Sequence, residues 1–126
     1  MTALPREVVD AWIDRDGQPA VLATVAPDGT PNIIYVNCVA LFGDERVVVA
    51  DNFFTKTKAN ILSGCKGALL FRTTDGTPYQ IKGTFEYHTE GEIFDDMKRW
   101  HQPDKPGYGA AAIVVEEVYS RAKRLL

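Results

Sequence analysis

The sequence is poor in the residues that build most small catalytic and metal sites. It has only two cysteines and two histidines in 126 residues. Cys38 and Cys65 form no CxxC pair, and in a reducing compartment both are expected as free thiols. Neither His88 nor His101 has metal-ligand spacing to a cysteine or to the other histidine, so no metal site is expected. There is no GxSxG turn to present a serine nucleophile and no GxxxxGK[ST] loop to cradle a triphosphate. The one GxG, Gly107-Tyr108-Gly109, lacks the third glycine and the following helix of a Rossmann site. No side chain is therefore assigned a catalytic role.

Positive charge and long apolar runs are also scarce. Fourteen Lys and Arg face seventeen Asp and Glu, a formal net charge of −3. Without a basic footprint, nucleic acid is not an expected partner. No stretch approaches the roughly 20 apolar residues of a membrane helix. The opening Met1-Thr2-Ala3-Leu4-Pro5-Arg6-Glu7 lacks the basic segment and apolar run of a signal peptide. A cytoplasmic protein without a membrane partner is the expectation. Apolar residues at 45% and charged residues at 25% are ordinary for a globular chain, and the length suits one domain over 1–126.

What is present alternates between strand and turn signals. Val8, Val9, Trp12 and Ile13 trace one helical face, which Pro5 opens and Gly17 ends. Strands are predicted over 20–26, 32–42, 46–51, 67–74, 78–89 and 110–118, rich in Val, Ile and Tyr. Pro27-Asp28-Gly29-Thr30, Gly43-Asp44-Glu45 and Asp75-Gly76 supply tight turns, and Gly83 reads as a bulge or a bend. A short helix over 56–63 has Thr55 as N-cap and Gly64 as C-cap. A longer helix over 90–101 carries Ile93, Phe94, Met97 and Trp100 on one face. Tight turns require antiparallel neighbours, and closure removes exposed edges. The predicted fold is mainly β, a six-stranded antiparallel barrel with two or three short helices.

The run from Asp51 to Asn60 carries the most chemistry. It leaves a strand, crosses a loop with Phe53 and Phe54, and opens a helix at Lys56. Free amides at a helix start, the Lys56 charge, Thr57 and Asn60 together suit a phosphate. Thr57 and Asn60 lie three apart, on one face. The plainer alternative has Thr55 capping the helix, the lysines as solvated charge and Phe53 and Phe54 filling core. Tyr35 packs in the barrel or lines a cavity. His88, between Glu86 and Glu90, reads as part of a solvated strand face or as half of an acid–base pair.

Three ordered segments then suggest a family. They are Leu22-Ala23-Thr24-Val25 with Asp28-Gly29-Thr30-Pro31-Asn32; Ala50-Asp51-Asn52-Phe53-Phe54 with Lys56, Thr57 and Asn60; and Tyr79-Gln80-Ile81-Lys82-Gly83 with the stretch from Glu86 to Gly91. A closing Val115-Glu116-Glu117-Val118-Tyr119 follows. In this order they resemble the FMN-binding split-barrel superfamily that includes pyridoxamine 5′-phosphate oxidase. The resemblance implies a homodimer holding FMN between its subunits. It places the phosphate on Lys56, Thr57 and Asn60. It lays the flavin along Ile34, Tyr35, Val36 and Asn37 and along Asp51, Asn52 and Phe53, with the partner's Tyr108 covering the ring. Asp51 or Asn52 would then tune the flavin potential. The segment Asn32-Ile33-Ile34-Tyr35-Val36-Asn37 lacks the family oxidases' basic pair, so pyridoxal-phosphate biosynthesis is not expected. An FMN-dependent oxidoreductase or electron carrier is, with NAD(P)H or another small molecule as redox partner. The alternatives are a non-catalytic module for flavin, haem or a deazaflavin, and a reductase that uses FMN as an exchangeable substrate.

Overall fold

The computed structural model of the chain describes residues 2–126. The elements in order are α1 (Arg6–Asp14), β1 (Ala20–Val25), β2 (Pro31–Val36), β3 (Val39–Phe42), β4 (Arg46–Asp51), α2 (Lys56–Leu62), β5 (Lys66–Arg72), β6 (Pro78–His88), α3 (Glu92–Trp100), β7 (Gly109–Ser120) and β8 (Lys123–Arg124). All strand pairs are antiparallel, in the order β2-β1-β5-β6-β7-β4-β3, with β8 on β7. The split-barrel expectation holds, with eight strands in place of six.

Both additional strands have a local cause. The predicted strand over 32–42 divides at Asn37-Cys38, where its first half pairs with β1 and its second with β4. No glycine or proline marks this change of partner. The basic tail returns on β7 as β8, turned by Arg121 at φ +53°. The bulge at Gly83 is where expected: Lys82 pairs with Glu117 while Gly83 pairs with Val115. A Cβ at Gly83 would lie 1.9 Å from the Val114 carbonyl oxygen, so only glycine lets the two backbones approach this closely.

The strand alternation divides the core in two. Val47 and Val49 of β4 face the barrel interior with Leu22, Leu69, Phe71, Ile81 and Ile113, closed off by Val8 and Trp12 of α1. Val48 and Ala50 face outward and are covered by Ile93 and Met97 of α3. β4 is therefore buried on both sides, which accounts for its unbroken apolar run. Helix ends differ slightly from expectation. Pro5 sits at the N-cap of α1, one residue before the helix, and α3 is shorter than the span 90–101. Ser63 caps the end of α2, and Gly64 at φ +88° turns the chain out. No helix among the described residues is long and apolar enough to cross a membrane.

Candidate functional site

A cleft of about 350 Å³ opens where β2 ends beside the C-terminal end of β4. One wall is Ile34, Tyr35, Val36 and Asn37, continued by Cys38. The other is Ala50 with Asn52, Phe53 and Phe54 from the loop after β4. Gln102 and Lys105, from the loop after α3, close the rim. The chain path brings these segments together, because β2 leads through the short crossing at Asn37-Cys38 into β3, which pairs with β4. Of the residues singled out from sequence, Ile34, Tyr35, Val36, Asn37, Asn52 and Phe53 line this cleft. Tyr35 and Phe53 are 78% and 71% exposed, large aromatic surfaces left open to solvent.

Asp51 lies outside the lining, below the loop. It is 2% exposed. Its carboxylate accepts the Phe54 backbone N–H at 3.0 Å and the Tyr87 hydroxyl at 2.5 Å. The Thr55 side chain makes no capping hydrogen bond to α2; the turn that leads into the helix is held by Asp51. Burial first, then Asp51, pushes the Tyr87 phenol well above its ordinary value. Gly109 makes room for Tyr87, since a Cβ there would lie 2.4 Å from its ring. The Asp51 carbonyl oxygen also accepts the Tyr108 backbone N–H at 2.8 Å. Tyr108 itself projects into solvent, outside the cleft lining.

Lys56, Thr57 and Asn60 separate by direction. Lys56 is exposed at the start of α2. Thr57 and Asn60 share one helical face as expected, but that face turns inward, leaving them 2% and 6% exposed. The Asn60 amide donates to the Thr24 hydroxyl at 3.0 Å, and the Asn32 amide donates to Thr24 and Thr57 at 3.2 and 2.9 Å. These four side chains lock α2 onto β1 and β2. Glu86 is likewise committed. Arg46 donates to both its oxygens, at 2.8 and 3.3 Å, and the His88 ring lies 3.0 Å away. Arg46, and secondarily His88, hold Glu86 below the usual carboxylate range. A carboxylate held in this way is a poor base, so the polar strand face is the reading the geometry supports.

Sequence reasoning passed over Gln102 and Lys105, which lie in a loop marked only by its prolines and glycines. That loop is tightly held. Lys98 Nζ donates to the carbonyls of Pro106 and Gly107 at 3.0 and 3.3 Å. The His101 ring nitrogens stand 3.2 Å from the carbonyl oxygens of Lys98 and Lys105. Gly107 N–H donates to the Asn52 side chain at 3.0 Å, tying the loop to the opposite wall of the cleft. Beyond Tyr35 and Asn37 a second depression, of about 540 Å³, runs over Val21, Leu70 and Arg72. It adjoins an exposed apolar strip in which Ile33 is 70% exposed.

Residues 6–122 match the family model described as pyridoxamine 5′-phosphate oxidase. The chain belongs to the pyridoxamine 5′-phosphate oxidase family. Among its relatives, an uncharacterized protein of Methanocaldococcus jannaschii is 38% identical over 104 residues, covering 79% of this chain and 70% of that protein. The crystal structure of HupZ from Group A Streptococcus superposes with a TM-score of 0.78 at 27% identity, over 89% of this chain and 91% of that one. An FMN-binding protein from Syntrophomonas wolfei superposes with a TM-score of 0.70 at 21% identity, over 94% of this chain and 88% of that one. The oxidase family thus spans nearly the whole barrel, cleft included.

Proposed function

We propose that this member of the pyridoxamine 5′-phosphate oxidase family binds FMN and serves as an oxidoreductase or electron carrier, with the cofactor at a homodimer interface. The observation that carries the reading is the cleft between β2 and β4. It offers flat aromatic walls in Tyr35, Phe53 and Phe54, and amide groups in Asn37, Asn52 and Gln102. Those are the surfaces a planar, hydrogen-bonding heterocycle requires. The open aromatic faces are what a second subunit would cover. The fold shared with the FMN-binding protein of Syntrophomonas wolfei supports the same cofactor. Lys56 is the side chain at the start of α2 free to meet the phosphate, while Thr57 and Asn60 hold that helix in place beneath it. When bound, flavin supplies the electron transfer, and the protein contributes orientation and electrostatic environment. No acid–base pair is then needed, in keeping with the commitment of Glu86 to Arg46. The absence of Arg and Lys from β2 argues against the biosynthetic oxidase reaction.

The test is the absorbance spectrum of purified protein mixed with excess FMN and desalted. Retention of about one flavin per chain is expected. Lys56→Ala should weaken FMN by roughly 1.5–3 kcal/mol, the value of a charge-assisted hydrogen bond. A desalted protein without flavin absorbance would overturn the reading, and retained flavin would justify trying NADH and NADPH as donors.

A further inference from the structure

Among the described residues lining the cleft, Lys105 alone carries a charge. The others are aliphatic, aromatic, amide or thiol. No carboxylate pairs with Lys105 among the described residues. Its ammonium stands 5.4 Å from the centroid of the Phe53 ring, on the wall of the cleft. Nor is its backbone loose. Lys105 N–H donates to Gln102 O at 3.0 Å, and its own carbonyl oxygen faces the His101 ring. The next two carbonyls are held by Lys98. One lysine of this loop region is spent on building it, and the other is presented to the cleft. The nearby carboxylate of opposite sign, Asp51, is engaged by Phe54 N–H and the Tyr87 hydroxyl, away from the lining.

From this arrangement we infer that Lys105 makes the cleft selective for the negatively charged form of its ligand, and so raises the reduction potential of a bound flavin. The inference rests on the flavin reading above. An oxidised flavin ring is neutral. On taking up two electrons and one proton it carries one negative charge. An ammonium facing the cleft beside Phe53 attracts that charge and leaves the neutral ring nearly unaffected. The charge facing the cleft is thus positive, and its effect is opposite to that of a carboxylate beside the ring, which would repel the reduced anion.

The experiment is a reductive titration of the FMN-loaded full chain with dithionite against a reference dye, for wild type, Lys105→Gln and Lys105→Arg. Loss of the charge should weaken binding of the reduced form at least tenfold relative to the oxidised form. For a two-electron couple that is a potential lower by about 30 mV or more. Lys105→Arg should keep the wild-type value, and added salt should narrow the gap between wild type and Lys105→Gln. Equal potentials in wild type and Lys105→Gln, with flavin retained by both, would overturn the role of Lys105 and leave the flavin reading standing. So would an Arg variant as low as Gln, since the effect would then be one of shape. Failure of the wild type to retain flavin would overturn both.

Discussion

Asp51 joins the two loops that frame the cleft. Its carboxylate holds the start of the Phe54 turn and the Tyr87 hydroxyl, and its carbonyl holds Tyr108. Removing the Tyr87 hydroxyl leaves one carboxylate oxygen buried without a donor, a loss of about 1–3 kcal/mol. Tyr87→Phe should lower the midpoint of urea unfolding accordingly, and an unchanged midpoint would show that the bond contributes nothing. At this scale the sequence was legible in part. The spacing of Thr57 and Asn60 put them on one face, and they do share one. Which way the face turned was not legible, because periodicity defines faces without saying what each meets. The deciding partners, Thr24 and Asn32, lie on strands far away in the chain. Lys105 escaped notice for a related reason: a lone lysine among prolines has no pattern until the loop is folded against Phe53.

Elements were easier to read than their pairings. Turn residues and alternation located most strands, and the Gly83 bulge followed from one glycine in a long strand. The division of 32–42 into β2 and β3 was hidden, since both halves are apolar and no turn residue separates them. Pairing across strands also creates contacts no local pattern reveals. Arg46 on β4 and Glu86 on β6 meet across β7, where their partners are Val114 and Ala112. Arg46 lowers the Glu86 pKa in the folded state, whereas the unfolded chain titrates near the ordinary value of about 4.3. The stabilisation is therefore fully present above the unfolded-state pKa, and it is lost as pH falls through the lower folded-state value. Glu86 is partly solvated, so the contribution is about 1 kcal/mol or less. Melting curves of wild type and Glu86→Gln should differ at pH 7 and converge as the pH is lowered from about 5 to 3. A gap that persisted in acid would assign the effect to packing.

For the whole molecule, the outer surface of β1, β2 and β5 is the notable feature. Tyr35 faces Val21, which faces Leu70, and Ile33 faces Ala23, giving a continuous apolar strip beside the cleft. Contiguous exposed apolar surface marks an association site, and here it supports the proposed homodimer. Ile33→Asp would bury a charge in that contact. Light scattering coupled to gel filtration should then give a monomer that keeps the far-UV circular dichroism of the wild type, with a melting temperature lowered by the lost association. A dimer that survived the substitution would move the interface elsewhere.

The crossing at Asn37-Cys38 has one more consequence. β2 and β3 are successive in the chain, yet they stand at opposite ends of the strand order. The sheet is therefore a bracelet fastened at a two-residue clasp, and the cleft opens on the fastening. Its lining has Val36 of β2 on one side and, on the other, Ala50 of β4, whose N–H donates to the Cys38 carbonyl oxygen at 2.9 Å. Occupancy acts as a pin through the clasp, because the free energy of binding adds to that of keeping the bracelet shut.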